Sequence, residues 1–336
     1  RNYGKLLLYA SLFHQCIAGP IVRYVDVERE LNGRTMTLNE TFRGMVRFTI
    51  GLGKKAILAN TCAAVADSLL AADKLAAGSV ASLSVILGLS AYMLQIYLDF
   101  SAYSDMAIGM GWMIGFHFKE NFDHPYAATS ITDFWRRWHI SLSSFFRDYV
   151  YIPLGGNRCA KWRHILNLLI VWALTGFWHG ASWNFVLWGL YFALFLVLEK
   201  YVFKWAAKPA GRAAAALRRV YTLAVVWFGW FLFRFDDMAL MGDALACLFG
   251  RGGFGDMTTR ITFLNYLFIL AVSVVACTPI VPFLRDKLTA VASQTTTGAA
   301  RAVLNIVAVA APVALLCVSI LAMVGDNYNP FLYFRF

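Results

Sequence analysis

Charged residues are scarce in this chain. Only 15% of its 336 residues are Asp, Glu, Lys or Arg, whereas 60% are apolar and 16% are aromatic. Such a composition lies far from that of soluble proteins and includes several apolar runs long enough to cross a bilayer. It predicts an all-α, polytopic transmembrane helical protein.

Acidic residues are the rarer charge, 19 against 30 Lys and Arg, which leaves a net charge of +11. The cations fall in short clusters between apolar runs and form no continuous basic surface, which argues against nucleic-acid binding. Cytoplasmic loops of membrane proteins are enriched in Lys and Arg, so we expect two such clusters in the cytoplasm, the first of them able to contact the phosphates of membrane lipid. The first comprises Arg136, Arg137, Arg147, Arg158, Lys161 and Arg163, and the second Lys200, Lys204, Lys208, Arg212, Arg218 and Arg219.

Patterns that bind metals are missing. The six cysteines, Cys16, Cys62, Cys159, Cys247, Cys277 and Cys317, form no close pair, and no His-Glu-x-x-His sequence is present. We therefore expect buried thiols and no catalytic metal. His14, His117, His124 and His164 each stand alone near an expected membrane boundary, where a histidine is commonly an interfacial polar group.

Internal repeats, a signal peptide and low-complexity linkers are also missing, apart from one soft stretch at Ser293 to Gly298. Residues 1–336 are therefore interpreted as one membrane domain.

A stretch without any Lys or Arg separates Arg163 from Lys200. Its 36 residues extend about 54 Å as α-helix, enough for two crossings of about 27 Å each. Residues 164–199 are thus predicted to form a helical hairpin. His179 lies near the middle, about 22 Å along the helix from His164, and is expected deep in the membrane or near its far face.

The same reasoning predicts two crossings in residues 75–118. Further single passes are expected at residues 220–233, 261–284 and 302–325, which places the tail Tyr328 to Phe336 outside. Residues 4–22 and 44–70 are apolar but interrupted by Gly, Pro and Lys, and are expected to be re-entrant or interfacial helices.

Residues 134–149 have the pattern of an amphipathic helix with Thr132 or Asp133 as N-cap. One face carries Phe134, Trp135, Trp138, Leu142, Phe145, Phe146 and Tyr149, and the other carries Arg136, Arg137, Ser143, Ser144, Arg147 and Asp148. His139 falls at the edge of the aromatic face. The pattern fits a simple interfacial anchor, or a segment that offers cations to an anionic donor.

An ionisable side chain deep in a membrane is costly and usually marks a working site. Burial disfavours the charged imidazolium, so His179 is expected to be neutral and able to accept a proton from a hydroxyl. Asp99 and Asp105 fit a structural polar network or a catalytic one. They also support a rival class of function, a proton-coupled transporter.

Several motifs together resemble the membrane-bound O-acyltransferase family. They are Asp99-Phe-Ser-Ala-Tyr-Ser-Asp105, Asn121-Phe-Asp-His-Pro-Tyr126, Phe134-Trp-Arg-Arg-Trp-His-Ile-Ser-Leu-Ser143, Arg147-Asp-Tyr-Val-Tyr-Ile-Pro-Leu-Gly-Gly156 and Trp178-His-Gly-Ala-Ser-Trp183. Ala18-Gly-Pro-Ile-Val-Arg-Tyr24 and Tyr328-Asn-Pro-Phe-Leu-Tyr-Phe-Arg-Phe336 extend the resemblance nearly end to end. Within the family the chain looks most like the branch that O-acetylates exported polysaccharides such as alginate.

The resemblance implies acyl transfer in the bacterial inner membrane. His179 matches the catalytic histidine of the family, and His139 matches its second histidine. Asn184 is a candidate for stabilising the oxyanion that forms during transfer. A donor path is expected to involve Trp138, Arg136, Arg137, Arg147, Asp148, Trp178, Asn184, Asp105 and Asp99.

The expected donor is an acyl thioester, acetyl-CoA or an acyl carrier, with no bound cofactor. The expected acceptor is the polysaccharide itself or a periplasmic acetyltransferase partner. Transfer of D-alanyl groups or acylation of peptidoglycan remain alternatives within the family.

The chain departs from the family pattern at two places. Phe192-Ala193 stands where relatives often carry His-Gly, and Phe145 stands where a Trp is frequent. Relative to the family, the chain is also expected to lack a first portion that holds several membrane helices.

Overall fold

The computed structural model describes residues 2–15, 19–205, 211–294, 298–324 and 331. Within these ranges the secondary structure consists of helices and turns, which confirms the all-α prediction. The helices are α1 Tyr3–Ala10, α2 Tyr24–Asn32, α3 Leu38–Gly53, α4 Asn60–Leu69, α5 Ala72–Ala76, α6 Ser82–Met113, α7 Ile131–Arg137, α8 Ile140–Phe146, α9 Lys161–His179, α10 Trp183–Leu198, α11 Arg212–Arg234, α12 Met238–Leu248, α13 Met257–Ala276, α14 Ile280–Gln294 and α15 Gly298–Val324. Three π-helical turns follow α3, α8 and α10, at Lys54–Ala59, Arg147–Tyr151 and Glu199–Phe203.

Six helical runs in the described residues are long and apolar enough to cross a membrane. They are Leu38–Ala76, Ser82–Met113, Trp183–Phe203, Arg212–Arg234, Met257–Ala276 and Ala302–Val324. The predicted passes at 220–233 and 302–325 correspond to α11 and α15. The predicted pass at 261–284 is divided, because α13 ends at Ala276 and α14 begins directly after Pro279, where a proline suits a helix start.

Two predictions about the first third of the chain are wrong. Residues 75–118 hold one 32-residue helix, α6, where two crossings were expected. Residues 44–69 belong to helix that is continuous from Leu38 to Leu69, within the run Leu38–Ala76 that is long and apolar enough to span a membrane. The described part of residues 4–22 agrees with a segment that does not span, since α1 has eight residues, about 12 Å of helix.

The chain folds into two compact units, each built from discontinuous segments. The first unit comprises residues 1–61, 95–121 and 269–335, and the second residues 62–94, 122–268 and 336. Cys16, Ala18, Lys208 and the predicted outer tail, Phe331 excepted, lie outside the described residues.

In the first unit, glycines let α3 approach α6 closely. A Cβ on Gly44 would lie 2.6 Å from the carbonyl oxygen of Gly109, and one on Gly51 would lie 2.7 Å from that of Ala102. These contacts are too short for any side chain, so the backbones meet directly. The glycines that suggested an interrupted segment are therefore packing positions of a continuous helix.

Ion pairs accommodate the lysines of the same segment. The Lys54 ammonium lies 2.6 Å from Asp105, which also pairs with Arg47 at 2.9 Å, and Lys55 lies 2.7 Å from the buried Asp99. Paired charges can be buried where isolated ones cannot. These ion pairs favour the structural interpretation of Asp99 and Asp105 over the catalytic one.

In the second unit, α9 and α10 form the predicted helical hairpin, joined by Gly180 to Ser182, but the six runs apolar and long enough to cross a membrane include α10 and not α9. The two helices meet at glycines. A Cβ on Gly176 would lie 2.3 Å from the carbonyl oxygen of Phe185, and one on Gly189 would lie 2.2 Å from that of Trp172. Because the earlier residue Trp172 faces the later residue Gly189, and Gly176 faces Phe185, the two helices are antiparallel.

The amphipathic segment is not one helix. Ser130, not Thr132 or Asp133, caps α7, because its hydroxyl accepts from the Asp133 backbone N–H at 2.9 Å. The helix ends at Arg137, and a second helix, α8, begins after His139, whose backbone is left-handed with φ 45°. On its aromatic face, Phe145 and Tyr149 are exposed, whereas Phe134, Trp135 and Trp138 are buried.

Candidate active site

A cavity of about 220 Å³ lies within the second unit, among α7, α8, the following π-helical turn, α9 and α10. Its lining is mostly aromatic and aliphatic. The residues are Thr132, Trp135, Arg136, Trp138, His139, Leu142, Ser143, Phe146, Arg147, Tyr151, Leu168, Val171, Trp172, Thr175, His179 and Leu196. This described lining carries two arginines, two histidines and no acidic residue.

His139 reaches the cavity because the chain breaks at this residue. The extended backbone of Trp138 ends α7, and the left-handed His139 caps α8, with its carbonyl accepting from the Ser143 backbone N–H at 3.0 Å. The Ser141 hydroxyl lies 3.3 Å from its Nδ1. Burial, and to a smaller extent the imidazole of His179, lowers the pKa of His139 well below its usual value. His139 is therefore a neutral imidazole at pH 7.

His179 is the last residue of α9 and is partly buried. Four aromatic rings surround it, with centroids 4.9 Å away for Trp178, 5.1 Å for Trp188, 5.1 Å for Phe233 and 6.2 Å for Phe185. An apolar shell of this kind disfavours the imidazolium form. It also leaves His179 accessible from the cavity, which its side chain lines.

The two histidines line the same cavity. Trp178 contacts both imidazoles, His179 at 4.9 Å and His139 at 6.0 Å between ring centroids. The sequence pattern placed His139 on an unbroken amphipathic helix and His179 deep in the hairpin, whereas the break after α7 lets both side chains line one cavity.

Three residues of the predicted donor path also line the cavity: Arg136, Trp138 and Arg147. Trp138 is buried and packs on Trp230 with ring centroids 4.8 Å apart. Arg136 and Arg147 are exposed, and Arg147 forms an ion pair with Asp148 at 2.7 Å. The cavity thus combines an aromatic wall with two cations that reach solvent.

The other predicted path residues have different positions. Arg137 bonds Asp133 at 2.9 Å and Asp123 at 3.4 Å, away from the lining, and Asp148 and Trp178 contact lining residues without lining the cavity themselves. The buried Asn184 amide donates to the carbonyls of Leu232 and Phe233, each at 3.4 Å, and so ties α10 to α11. Asn184 is absent from the cavity lining, which removes the support for its oxyanion role.

Sequence reasoning missed Tyr151 and Glu199. Tyr151 lines the cavity from the π-helical turn. Glu199 is 4% exposed, and its carboxylate accepts from the backbone N–H groups of Ile131 at 2.6 Å and Thr132 at 3.0 Å, and from the Thr132 hydroxyl at 2.9 Å. It therefore holds the first turn of α7. Its signal in the sequence was its position as the lone acid in residues 164–199.

Phe192, which stands where relatives often carry His, is fully buried beside the cavity wall. Its ring lies 4.9 Å from that of Trp135 and 5.9 Å from that of Trp172. The departure from the family pattern thus contributes packing behind the two tryptophans.

The apolar helical runs and the cavity lined by two histidines define a multi-pass membrane protein with a histidine site. Residues 2–240 match the model of the membrane-bound O-acyltransferase family. The chain belongs to this family, and its class of activity is acyl transfer. Membership decides against the transporter alternative.

Relatives of known name agree with this assignment. The chain is 37% identical to "Probable alginate O-acetylase AlgI" of Azotobacter vinelandii, over 100% of this chain and 70% of that protein. It is 39% identical to the protein of the same name from Pseudomonas aeruginosa, over 75% and 47%. It is 36% identical to "Peptidoglycan O-acetyltransferase" of Helicobacter pylori, over 73% and 46%. The matches thus span between about half and 70% of the length of these relatives.

Proposed function

We propose that the protein transfers an acetyl group from a thioester donor, acetyl-CoA or an acyl carrier, to hydroxyl groups destined for an exported polysaccharide such as alginate. The observation that carries the proposal is the cavity shared by His139 and His179. The bacterial inner membrane is the proposed location. The acceptor is the polysaccharide or a periplasmic acetyltransferase that completes the transfer.

In the proposed reaction, His179 accepts the proton of the acceptor hydroxyl as its oxygen attacks the thioester carbonyl. The C–O bond forms, the C–S bond breaks, and the proton passes from His179 to the departing thiolate. His139 assists by shaping the cavity beside the reacting group. The aromatic wall excludes water, which would otherwise hydrolyse the thioester.

The charge of the cavity favours an acetyl over a D-alanyl group. A D-alanyl thioester carries an ammonium, and the described lining offers it two arginines and no carboxylate. Like charges in a partly desolvated site repel. The proposal therefore assigns a neutral acyl group to this chain.

The test uses the full-length protein in membrane vesicles, with acetyl and D-alanyl thioesters in parallel. We expect His179→Ala to abolish acyl transfer measured by mass spectrometry, and the wild type to prefer acetyl by at least about tenfold, equivalent to about 1.4 kcal/mol. The control is His124→Asn, since His124 lies outside the lining and Asn tolerates its left-handed backbone. Undiminished transfer by His179→Ala at normal protein level would contradict the mechanism.

A further inference from the structure

The proposed reaction needs a hydrogen-bond donor for the carbonyl oxygen of the thioester. Negative charge develops on this oxygen as the acceptor hydroxyl adds to the carbonyl carbon, and a donor aimed at it lowers the barrier. His179 does not supply this donor, because it accepts the proton of the attacking hydroxyl. Asn184, the candidate from the sequence, does not line the cavity. This leaves the other lining residues as the source of the donor.

The hydroxyl groups of the described lining are already engaged within the protein. Each lies at most 3.2 Å from a carbonyl, a carboxylate or an imidazole: Ser143 with Trp135, Thr175 with Val171, Thr132 with Glu199 and Tyr151 with His164. A hydroxyl hydrogen held in this way would have to leave its partner before it reached a substrate. Tyr151, in addition, lies at the His164 end of α9, about 22 Å along the helix from His179.

His139 lies at the same end of the cavity as His179. Both imidazoles line the cavity and contact one indole, that of Trp178, at 6.0 and 4.9 Å between ring centroids. They are close enough for the imidazole of His179 to contribute to the lowered pKa of His139. A carbonyl that is attacked at its carbon and accepts a hydrogen bond on its oxygen bridges groups up to about 8 Å apart. The two imidazoles are thus placed to act on one thioester.

The two ring nitrogens of His139 have different surroundings. Nδ1, the nitrogen nearer the backbone, lies 3.3 Å from the hydroxyl of Ser141, two residues further along the chain. Nε2 is the outermost nitrogen of a side chain that lines the cavity. Ser141 therefore holds the inner nitrogen, and the outer nitrogen is the one that a substrate in the cavity meets.

The tautomer of His139 decides what Nε2 can do. Burial keeps the imidazole neutral by lowering its pKa, and a neutral imidazole has one N–H and one lone pair. When the Ser141 hydroxyl donates to Nδ1, the hydrogen lies on Nε2, which is then a donor. The opposite tautomer would direct a lone pair at the carbonyl oxygen and repel its developing charge. A neutral imidazole N–H can polarise a substrate carbonyl without becoming charged.

We propose that His139 donates a hydrogen bond from Nε2–H to the carbonyl oxygen of the thioester, and that Ser141 is the positioning residue that holds this tautomer by donating to Nδ1. The inference rests on the proposed function. The acceptor oxygen bonds to the carbonyl carbon while His179 takes its proton, and the C=O electron pair moves onto the oxygen that Nε2–H stabilises. When the C=O bond re-forms, the C–S bond breaks and the proton passes from His179 to the thiolate. His139 keeps its own proton throughout.

The first experiment measures kcat and KM for the acetyl thioester with the full-length protein in vesicles. His139→Ala should lower kcat about 100- to 1000-fold, with a smaller change in KM, because one oxyanion donor is lost. His139→Gln keeps an amide N–H near the position of Nε2, so its kcat should be about tenfold above that of His139→Ala. Equal inactivity of the two variants would indicate that His139 accepts a proton, and would overturn the donor role.

The second experiment tests Ser141. Ser141→Ala should lower kcat about 3- to 10-fold, the effect of one hydrogen bond, and Ser141→Thr, which keeps the hydroxyl, should restore most of it. In the His139→Gln background Ser141→Ala should have little further effect, because Gln has no tautomer to hold. A loss of equal size in both backgrounds would overturn the positioning role.

Ser144→Ala is the matched control for this series. Ser144 lies on the same helix outside the cavity lining, and its hydroxyl donates to the backbone carbonyl of Ser141 at 2.8 Å. The kcat of this variant should stay within about twofold of the wild type.

The tautomer is also observable without turnover. In protein with nitrogen-labelled histidine, the NMR signals of His139, assigned by their loss in His139→Gln, should show a protonated Nε2 and an unprotonated Nδ1. Ser141→Ala should reduce the population of this tautomer. A wild type with the proton on Nδ1 would overturn the proposal, whether or not the other variants accumulate normally.

The outcomes separate the two levels of inference. A wild type that transfers acetyl, a His179→Ala variant that does not, and a His139→Ala variant with the wild-type kcat would overturn the role of His139 alone. Absence of transfer by the wild type from any acyl thioester would overturn the proposed function, and the role of His139 with it.

Discussion

Helix α9 carries a histidine at each end, and the two lie in opposite chemical surroundings. His164 is enclosed by two hydroxyls and an ammonium within 3.0 Å of its ring nitrogens. His179 is enclosed by the rings of Trp178, Phe185, Trp188 and Phe233 and lines the cavity. Both environments keep an imidazole neutral, but by different means.

The difference separates a fixed histidine from a reactive one. Polar partners at both nitrogens of His164 set its tautomer and its orientation, so the residue is suited to hold a neighbour in place. Aromatic rings exclude water from His179 and leave it in contact with the cavity, which suits a general base. The surroundings therefore suit His164 to a positioning role and His179 to proton transfer.

The largest expected effect comes from separating the two helices that hold both ends. Gly189→Ala places a Cβ 2.2 Å from the Trp172 carbonyl oxygen, so α9 and α10 must move apart. We expect destabilisation of about 1–3 kcal/mol and loss of most acyl transfer, because overpacking forces the backbone to shift. Thermal unfolding in detergent and the transfer assay measure the two effects.

The matched control for this substitution is Gly242→Ala on α12, where an added Cβ meets nothing within 4 Å. It should leave transfer unchanged and stabilise α12 by up to about 1 kcal/mol through helix propensity. Equal melting temperatures for Gly189→Ala and the wild type would show that the hairpin is less tightly packed than the glycine contacts indicate.

A destabilisation of comparable size, which begins at the first turn of α7, is expected from Glu199→Ala. Removal of the carboxylate leaves the N–H groups of Ile131 and Thr132 without the acceptor they now have at 2.6 and 3.0 Å. A buried donor left unsatisfied costs about 1–3 kcal/mol. Because α7 leads directly into Trp138 and His139, acyl transfer should fall as well.

Glu199→Gln is the control for charge and shape. It keeps one accepting oxygen at nearly the same place, so it should retain more stability and more activity than the alanine variant. The two variants are compared by melting temperature and by kcat. Identical behaviour of both variants and the wild type would mean that Glu199 does not hold α7.

The hairpin and its histidine could be predicted from the sequence because they depend on local signals. The absence of Lys and Arg between Arg163 and Lys200 sets the length of the hairpin, and Gly180 to Ser182 supply the turn. The motifs around His139 and His179 identified the family. In these places local pattern and tertiary structure agree.

Other features depend on partners far away in the chain. Lys54 and Lys55 suggested a broken helix, but Asp105 and Asp99 pair with them across 51 and 44 positions of sequence. The absence of Lys and Arg over residues 75–118 indicates a segment long enough for two crossings, but it does not show where a turn would lie. In the structure, α6 runs through most of this segment as one helix. The break at His139 has no Gly or Pro to announce it, and Tyr151 and Glu199 become significant only through contacts that folding creates.

The smallest effect is a pH dependence of the free energy of unfolding. It compares His139 in the cavity with the same histidine exposed in the unfolded chain. The pKa of His139 is lowered by burial and by His179, whereas an unfolded histidine titrates near 6.5. As the pH falls below about 6.5, His139 binds a proton in the unfolded chain but not in the folded protein, so the free energy of unfolding decreases. At pH 6 this costs about 0.8 kcal/mol, and above pH 7.5 it costs almost nothing.

The measurement compares melting curves of the wild type and His139→Gln at pH 8, 7.5, 7 and 6. Gln does not titrate, so the stability of the wild type relative to His139→Gln should be constant from pH 8 to 7.5 and decrease toward pH 6. The histidines that do not interact with His139 contribute equally to both proteins and cancel in the difference, and only the contribution of the neighbouring His179 does not. A relative stability that rises toward pH 6 would mean that folding raises the affinity of His139 for a proton, and would place a carboxylate or another anion beside it.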